Sequence, residues 1–262
     1  MRFSTISLGA LLLATTAPAF AQEAAPAAPP AITINGTATL ISDYKFRGIS
    51  QTDGNFAVQG GATVSHASGF YVSFWGSSVD NYVTAHGTAH QEIDLIAGYK
   101  HAFPNGVTVD VGALYYVYPG TRNKSTDKSS SDFIEPYVSV SYALGPVTAK
   151  ATANYAPKQK ALELDQGQGG TLPKQDNLYL AGDLSAAVPH TPISLTGHFG
   201  HTFGPDWLAI GKEYSDWSLG AAFTYKALTF GVAYVDTDAA FPTPSGKDAA
   251  KASVIGSIGV SF

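Results

Sequence analysis

The last ten residues, Ser253 to Phe262, limit what this chain can become more than any other stretch. Counting back from Phe262, every second residue is apolar or glycine: Val260, Ile258, Gly256 and Val254. The residues between are mostly small or polar (Ser261, Gly259, Ser257, Ser253), with Ile255 the exception. Side chains alternate faces along a strand, so this segment has one apolar and one wet face and stops on an aromatic carboxy-terminus. A chain that finishes in this way points to a β-barrel whose outer face meets lipid.

The amino-terminus agrees. Arg2, the apolar run Ile6 to Ala14 and the small-x-small site Ala19-Phe20-Ala21 read as a secretory signal peptide over residues 1–21, cleaved after Ala21. The apolar run is too short to span a bilayer. Residues 22–31 (QEAAPAAPPA) form a Pro/Ala-rich arm with no means of building a core. With 15 Lys+Arg against 20 Asp+Glu, the chain carries a formal net charge of −5, and removal of Arg2 makes the mature chain more acidic still. That argues against nucleic acid as a partner. There is no cysteine, so neither a disulfide framework nor thiol chemistry is available. Mean hydropathy is only +0.03 despite 14 Tyr and 14 Phe, as expected when half of each strand faces lipid and half faces water.

Residues 32–262 parse into twelve strands, at about 32–50, 55–66, 69–80, 90–103, 106–118, 132–144, 147–158, 176–188, 193–204, 214–226, 228–238 and 251–262. In the fourth, Ile93, Leu95, Ala97 and Tyr99 oppose Glu92, Asp94, Gly98 and Lys100. In the tenth, Trp217, Leu219, Ala221, Phe223 and Tyr225 oppose Asp216, Ser218, Thr224 and Lys226. Tight connections at Ala67-Ser68, Pro104-Asn105, Gly145-Pro146, Pro189–Pro192 and Lys226-Ala227 alternate with polar ones at 81–89, 120–131, 159–175, 205–213 and 239–250. Only Gln51–Gly54, first of the second set, is short. The alternation predicts an all-β, up-and-down antiparallel transmembrane β-barrel with brief turns at one end and larger loops at the other. A soluble β-sandwich offers no reason for that asymmetry, and strands of about 11 to 14 residues exceed its usual 5 to 6. Aromatics near strand ends (Phe46, Phe56, Phe70, Phe103, Tyr115, Tyr118, Phe133, Phe203, Tyr214, Trp217, Phe262) read as interfacial girdles.

Several blocks carry a family resemblance. Ser42-Asp43-Tyr44-Lys45-Phe46-Arg47-Gly48-Ile49-Ser50-Gln51 resembles the opening motif of the TorF family of porins, formerly a conserved proteobacterial hypothetical family. The likeness continues at Gln59-Gly60-Gly61, at Ser68 to Asp80, at Glu92 to Lys100 and at Tyr115 to Gly120, in family order and spacing. Beyond about residue 145 it rests on pattern and the terminal Phe. The resemblance implies a channel in the bacterial outer membrane of alphaproteobacterial or related Gram-negative type. It transfers no catalytic residue, no cofactor and no named substrate.

With apolar faces outward, the opposite faces line the interior. That places Asp43, Lys45 and Arg47 inside on the first strand, Gln59 on the second and Glu92, Asp94 and Lys100 on the fourth. Asp110, Glu135, Lys150, Asn154, Asp183, His198, Asp216 and Lys226 follow on later strands. The partners expected are membrane lipid outside and small polar solutes or ions within, and the excess of acids over bases in the lining predicts a weak preference for cations. A barrel of about 8 strands is filled by side chains and one of 16 to 18 leaves a channel, so twelve admits either an open pore or a braced, plugged barrel with a structural or loop-mediated role. No enzyme is predicted. His86 and His90 lie in a loop, and His198 and His201 face opposite sides of one strand, so no metal-ligand geometry emerges. His201 with Thr202, and His66 with Ser65 or Ser68, are the nearest approach to a nucleophile–base pair, and neither sits in a nucleophile motif. The glycines of Gly167 to Gly170 lack phosphate-loop spacing and read as an external loop.

Overall fold

A strand with one apolar and one polar face satisfies its backbone and hides neither face until it is closed against others of its kind. The computed structural model shows that closure. It describes residues 30–84, 87–121, 130–164 and 174–262. The leader expected at residues 1–21, most of the Pro/Ala-rich stretch, His86 and Gly167 to Gly170 lie outside the described residues.

The elements are β1 (Ile32–Ile41), β2 (Lys45–Phe46), β3 (Ile49–Ser50), β4 (Ala57–His66), β5 (Phe70–Ser78), β6 (Gln91–Ala102) and β7 (Val107–Val117). They continue as β8 (Phe133–Leu144), β9 (Val147–Gln159), β10 (Gln175–Ala187), β11 (Ile193–Phe203), β12 (Tyr214–Tyr225), β13 (Leu228–Thr237) and β14 (Ser253–Ser261). All but β2 and β3 form one closed barrel in which each strand pairs with its neighbours in sequence. β1 closes it, pairing with β4 on one side and with β14 on the other, from Thr37↔Ser261 to Ile41↔Ser257. At the seam the terminal backbone is held twice, by Gly36 N–H to the Phe262 carbonyl at 2.8 Å and by Phe262 N–H to the Gly36 carbonyl at 3.0 Å. The Phe262 ring lies over Gly36, in the space a Cβ would need.

Register fixes which residues face in. Lys100↔Asp110 and Asp94↔Tyr116 are inward pairs between β6 and β7, while Tyr99↔Val111 and Leu95↔Tyr115 point out. Large apolar side chains cover the outer face, Leu219 at 69% exposure and Val254 at 70% among them. An apolar jacket of this extent around a polar interior is stable against lipid and not against water. Ile255, out of step in the terminal pattern, faces inward and is 4% exposed. Turns at 67–69, 103–106, 145–146, 188–192 and 226–227 share one end with both barrel termini, and the longer connections share the other.

Two expectations need correction. The first strand ends at Ile41 instead of running to Ser50, and residues 42–56 leave the wall as a long connection containing β2 and β3. The aromatic girdle also splits. Phe70 and Tyr99 (centroids 4.9 Å apart) and His101 and Phe103 (4.5 Å) do ring the short-turn end outside. Phe46, Tyr118, Phe133 and Tyr214 instead pack inside the barrel or against its inner clusters, because strand parity or the inserted segment turns them in. Among the described residues no helix is long and apolar enough to cross a membrane.

Leu219 stands midway along β12 on the outer face, where an arginine would meet hydrocarbon. Leu219→Arg should cost about 2–4 kcal/mol of unfolding free energy in phospholipid vesicles. Ser218→Asn, one residue away and facing in, should cost far less when both are measured by urea unfolding.

Candidate functional site

The site is built by the segment that leaves the wall. Arg47 and Gly48 both adopt positive φ, 47° and 79°, which makes the two-residue turn a tight antiparallel hairpin prefers. Lys45 pairs with Ser50 and Phe46 with Ile49 across it. A side chain at Gly48 would place its Cβ 2.9 Å from that of Asp216 and 3.0 Å from that of Thr237, so the tip lies against the far wall at β12 and β13. The base is tied by Asp43, which accepts from the hydroxyls of Ser50 (2.6 Å) and Thr52 (2.8 Å). Lys45 Nζ donates to the carbonyls of Lys251 (2.6 Å) and Ala249 (3.2 Å), and Ser50 N–H to Ala249 (2.8 Å), so the connection before β14 clamps the hairpin from above.

Arg47 is therefore carried into the lumen. Its guanidinium donates to Glu135 on β8 at 2.6 Å and to Asn177 on β10 at 3.0 Å, and lies 4.1 Å from the Tyr179 ring centroid. Glu135, wholly buried, also accepts from Tyr116 (3.1 Å) and Asn154 (3.2 Å). Asn177 passes the chain on to Thr202 (2.9 Å) and to Asp206 (2.8 Å). Toward β6, the Tyr44 hydroxyl donates to Glu92 at 3.3 Å, while buried Asp94 has an Oδ1 with no hydrogen-bond partner among the described residues. Farther along the lumen, His198 bridges Asp183 (2.7 Å at Nδ1) and Asp216 (3.1 Å at Nε2), and Tyr179 donates to Asp216 at 3.0 Å. Lys100 pairs with Asp110 at 3.2 Å, and Asp110 accepts from Tyr71, which also contacts the Tyr137 hydroxyl.

Of the residues chosen from sequence, Gln59, Glu92, Asp94, Lys100, Asp110, Glu135, Lys150, Asp183 and Asp216 sit on the inner wall. Asp43, Lys45 and Arg47 are interior too, but on the inserted segment and not on the first strand. Lys226 is not. It occupies the β12–β13 turn at φ 55°, exposed, its ammonium 5.4 Å from the Tyr225 ring. The tight turn ends the strand one residue before it. Sequence reasoning missed Tyr116, Asn177 and Tyr179, whose inward parity marks them, and the apolar inner wall of Ile41, Leu114, Val235 and Ile255.

Phe46 borders two cavities. The larger, about 160 Å³, lies on the side of Arg47, Lys150, Asp183 and His198. The smaller, about 50 Å³, is walled by Tyr82, Trp207, Phe241 and other aromatic side chains toward the long loops. The hairpin tip thus stands between them.

The two nucleophile–base pairings resolve plainly. His66 Nδ1 lies 2.7 Å from Ser68 Oγ at the exposed β4–β5 turn, where the Ser68 amide also donates to it, a turn contact. His201 does not meet Thr202, which faces the interior and accepts from Asn177, but bonds Ser215, its cross-strand neighbour, at 2.9 Å. Glu213 is 3.9 Å away, too far to orient that ring by a hydrogen bond, and the Ser215 amide is already held by Asp238. Among the described residues no group of three or more His, Asp or Glu is placed to hold a metal ion.

The family model described as a bacterial protein of unknown function (Gcw_chp) matches residues 23–262. The chain belongs to the Gcw_chp family. The comparison with curated proteins gave no match. Among solved structures, this Gcw_chp member is similar to the NanC porin at 12% identity, over 88% of this chain and 99% of that one, with a TM-score of 0.57. It is also similar, at 9% identity and a TM-score of 0.53, to a protein from work on in-meso crystallization of membrane proteins, over 87% of this chain and 83% of that one. At these identities the likeness is one of fold.

Because Arg47 and Glu135 are both buried, removing either partner strands the other. Arg47→Met alone should destabilise the folded barrel by about 3–5 kcal/mol in micelles, read by denaturant unfolding. At the rim, burial opposes ionisation of Asp53, but hydrogen bonds from Ser245 and Thr243 and the Lys247 ammonium prevail and hold its carboxyl below the usual range. The charged form therefore stabilises the loop above the titration of an unfolded Asp, at about pH 3.9, and this is lost as pH falls through the lower, folded value. Amide-exchange protection of residues 51–54 should drop in acid in the natural chain, and Asp53→Asn should flatten that dependence.

Proposed function

We propose that this barrel is an outer-membrane channel for passive diffusion of small polar solutes or ions, narrowed by its own first long connection. The observation that carries the reading is a closed barrel of twelve strands, apolar outside, enclosing a cavity of about 160 Å³ that charged and hydroxyl side chains line on one side and aliphatic ones on the other. Such an interior is suited to moving hydrated or hydrogen-bonding solutes past a hydrocarbon barrier, with selectivity set by width and lining charge. The resemblance to TorF-family porins in the amino-terminal blocks supports the same reading. So do the signal peptide expected at residues 1–21, with cleavage after Ala21, and the likeness to a porin fold. The work of such a channel is positioning and screening and needs no catalytic group or cofactor.

The second reading, a plugged barrel that acts through its loops, draws on the hairpin network, since Phe46 borders both cavities and Arg47 ties the hairpin to the far wall. Planar-bilayer recording of the refolded mature chain decides between them. Discrete, small conductance steps are expected, rising several-fold when residues 44–53 are replaced by a short Gly-Ser linker. A natural chain that is folded by heat-modifiable gel migration but silent, with the shortened variant conducting, would establish the plugged barrel. Silence in both would overturn the channel reading.

A further inference from the structure

The larger cavity is two-sided. Ile41, Leu114, Val235 and Ile255, from β1, β7, β13 and β14, make an apolar wall, and β9 to β12 face it with hydroxyls, an amide and charges. All four belong to the buried cluster against which the hairpin's Phe46 packs. Where that cluster borders the cavity it offers an apolar surface that suits a solute with an apolar body.

The polar wall holds two groups left over. Among the interior cations, Arg47 is paired with Glu135, Lys100 with Asp110, and Lys45 with two backbone carbonyls. Lys150 has no ion pair and no hydrogen bond among the described residues, although Asp183 lies directly across from it on β10. That carboxylate is turned to His198 at 2.7 Å. Lys100 and Asp110, the other charges near Lys150, are engaged with one another. Two residues on, and on the same face of β9, the Thr152 hydroxyl is buried without a partner and also lines the cavity. A buried hydroxyl without a partner costs free energy, so its placement beside an unpaired ammonium calls for an acceptor between them. The acids of the lining are otherwise committed. Glu135, Asp183 and Asp216 have partners, and Glu92 and Asp94 do not line the cavity.

We infer that Lys150 and Thr152 anchor a binding site for a small organic anion with an apolar body, its carboxylate on these two donors and its body against the aliphatic wall. The size fits: about 160 Å³ compares with an apolar cavity of about 150 Å³ that holds benzene. This names the solute class for the channel reading and replaces the weak cation preference that a count of lining charges predicts, because the count ignores which acids are already paired.

The test uses the refolded full-length mature chain in detergent micelles, titrated calorimetrically with benzoate and with benzamide, its neutral isostere. Benzoate is expected to bind saturably and at least about tenfold more tightly than benzamide. Lys150→Met should erase that difference, Lys150→Arg should keep most of it, and Thr152→Val should weaken benzoate by several-fold. Equal affinity for the two probes, or benzoate binding unchanged by Lys150→Met in a folded barrel, would overturn the site. So would the absence of saturable benzoate binding. The comparison of probes on the unmodified chain needs no variant to fold. Binding is read without conduction, so a silent barrel that still discriminates benzoate would keep the site and refute only the channel.

Discussion

A guanidinium carried to the middle of a barrel, out of reach of bulk water, must meet a carboxylate or the fold that carries it there does not form. Arg47 and Glu135 are that pair, with side chains 3% and 0% exposed. Desolvating two charges costs several kcal/mol per ion, and only good geometry with the remaining lone pairs and protons satisfied offsets it. Here Asn177 and the Tyr179 ring complete the arginine, and Tyr116 and Asn154 complete the carboxylate. Five segments distant in sequence are thereby held to one point in the lumen. The position of the hairpin, the division of the interior into two cavities and the solvation of Lys45 by backbone carbonyls all depend on it.

The wall and the hairpin obey different rules. The wall is set by parity, since each outward residue meets an apolar medium and each inward one a polar or packed interior. Closure through β1 and β14 removes the edges that would otherwise seek partners. The hairpin has no such jacket. Both its faces are buried, Tyr44 and Phe46 against the aromatic interior and Lys45 and Arg47 against acceptors, so its stability comes from specific contacts. This separation lets one sheet supply a rigid frame while one short insertion shapes the space inside it.

Much of the wall was legible because alternation and turn chemistry report on it directly. Eleven of the strands read from sequence end within two residues of those observed, and the outward residues of β6, β12 and β14 are the ones the pattern names. The first strand was over-read because Asp43-Tyr44-Lys45-Phe46-Arg47 continues the polar–apolar alternation past Ile41. Period two is a property of any extended chain, including one that has left the sheet. Gly48 was the available sign, since Arg-Gly followed by Ile-Ser fits a two-residue turn between short strands. Lys226 failed for the converse reason, as its parity is inward but the strand has already ended. The inward parity of Tyr116, Asn177 and Tyr179 was legible, but their meeting at the Arg47–Glu135 pair and the clustering of the aliphatic inner wall were not, because these depend on which strands face each other across the lumen.

The central claim is that the first long connection crosses the interior and is anchored by Arg47 on Glu135. A double-mutant cycle measures this directly: unfolding free energies of the natural chain, Arg47→Met, Glu135→Gln and the double variant, taken in the same micelles. A coupling energy of about 1.5–3 kcal/mol is predicted, the double variant being far less damaged than the sum of the singles. Additive effects, with coupling below about 0.3 kcal/mol, would mean that the two side chains do not meet and that the hairpin does not lie in the lumen.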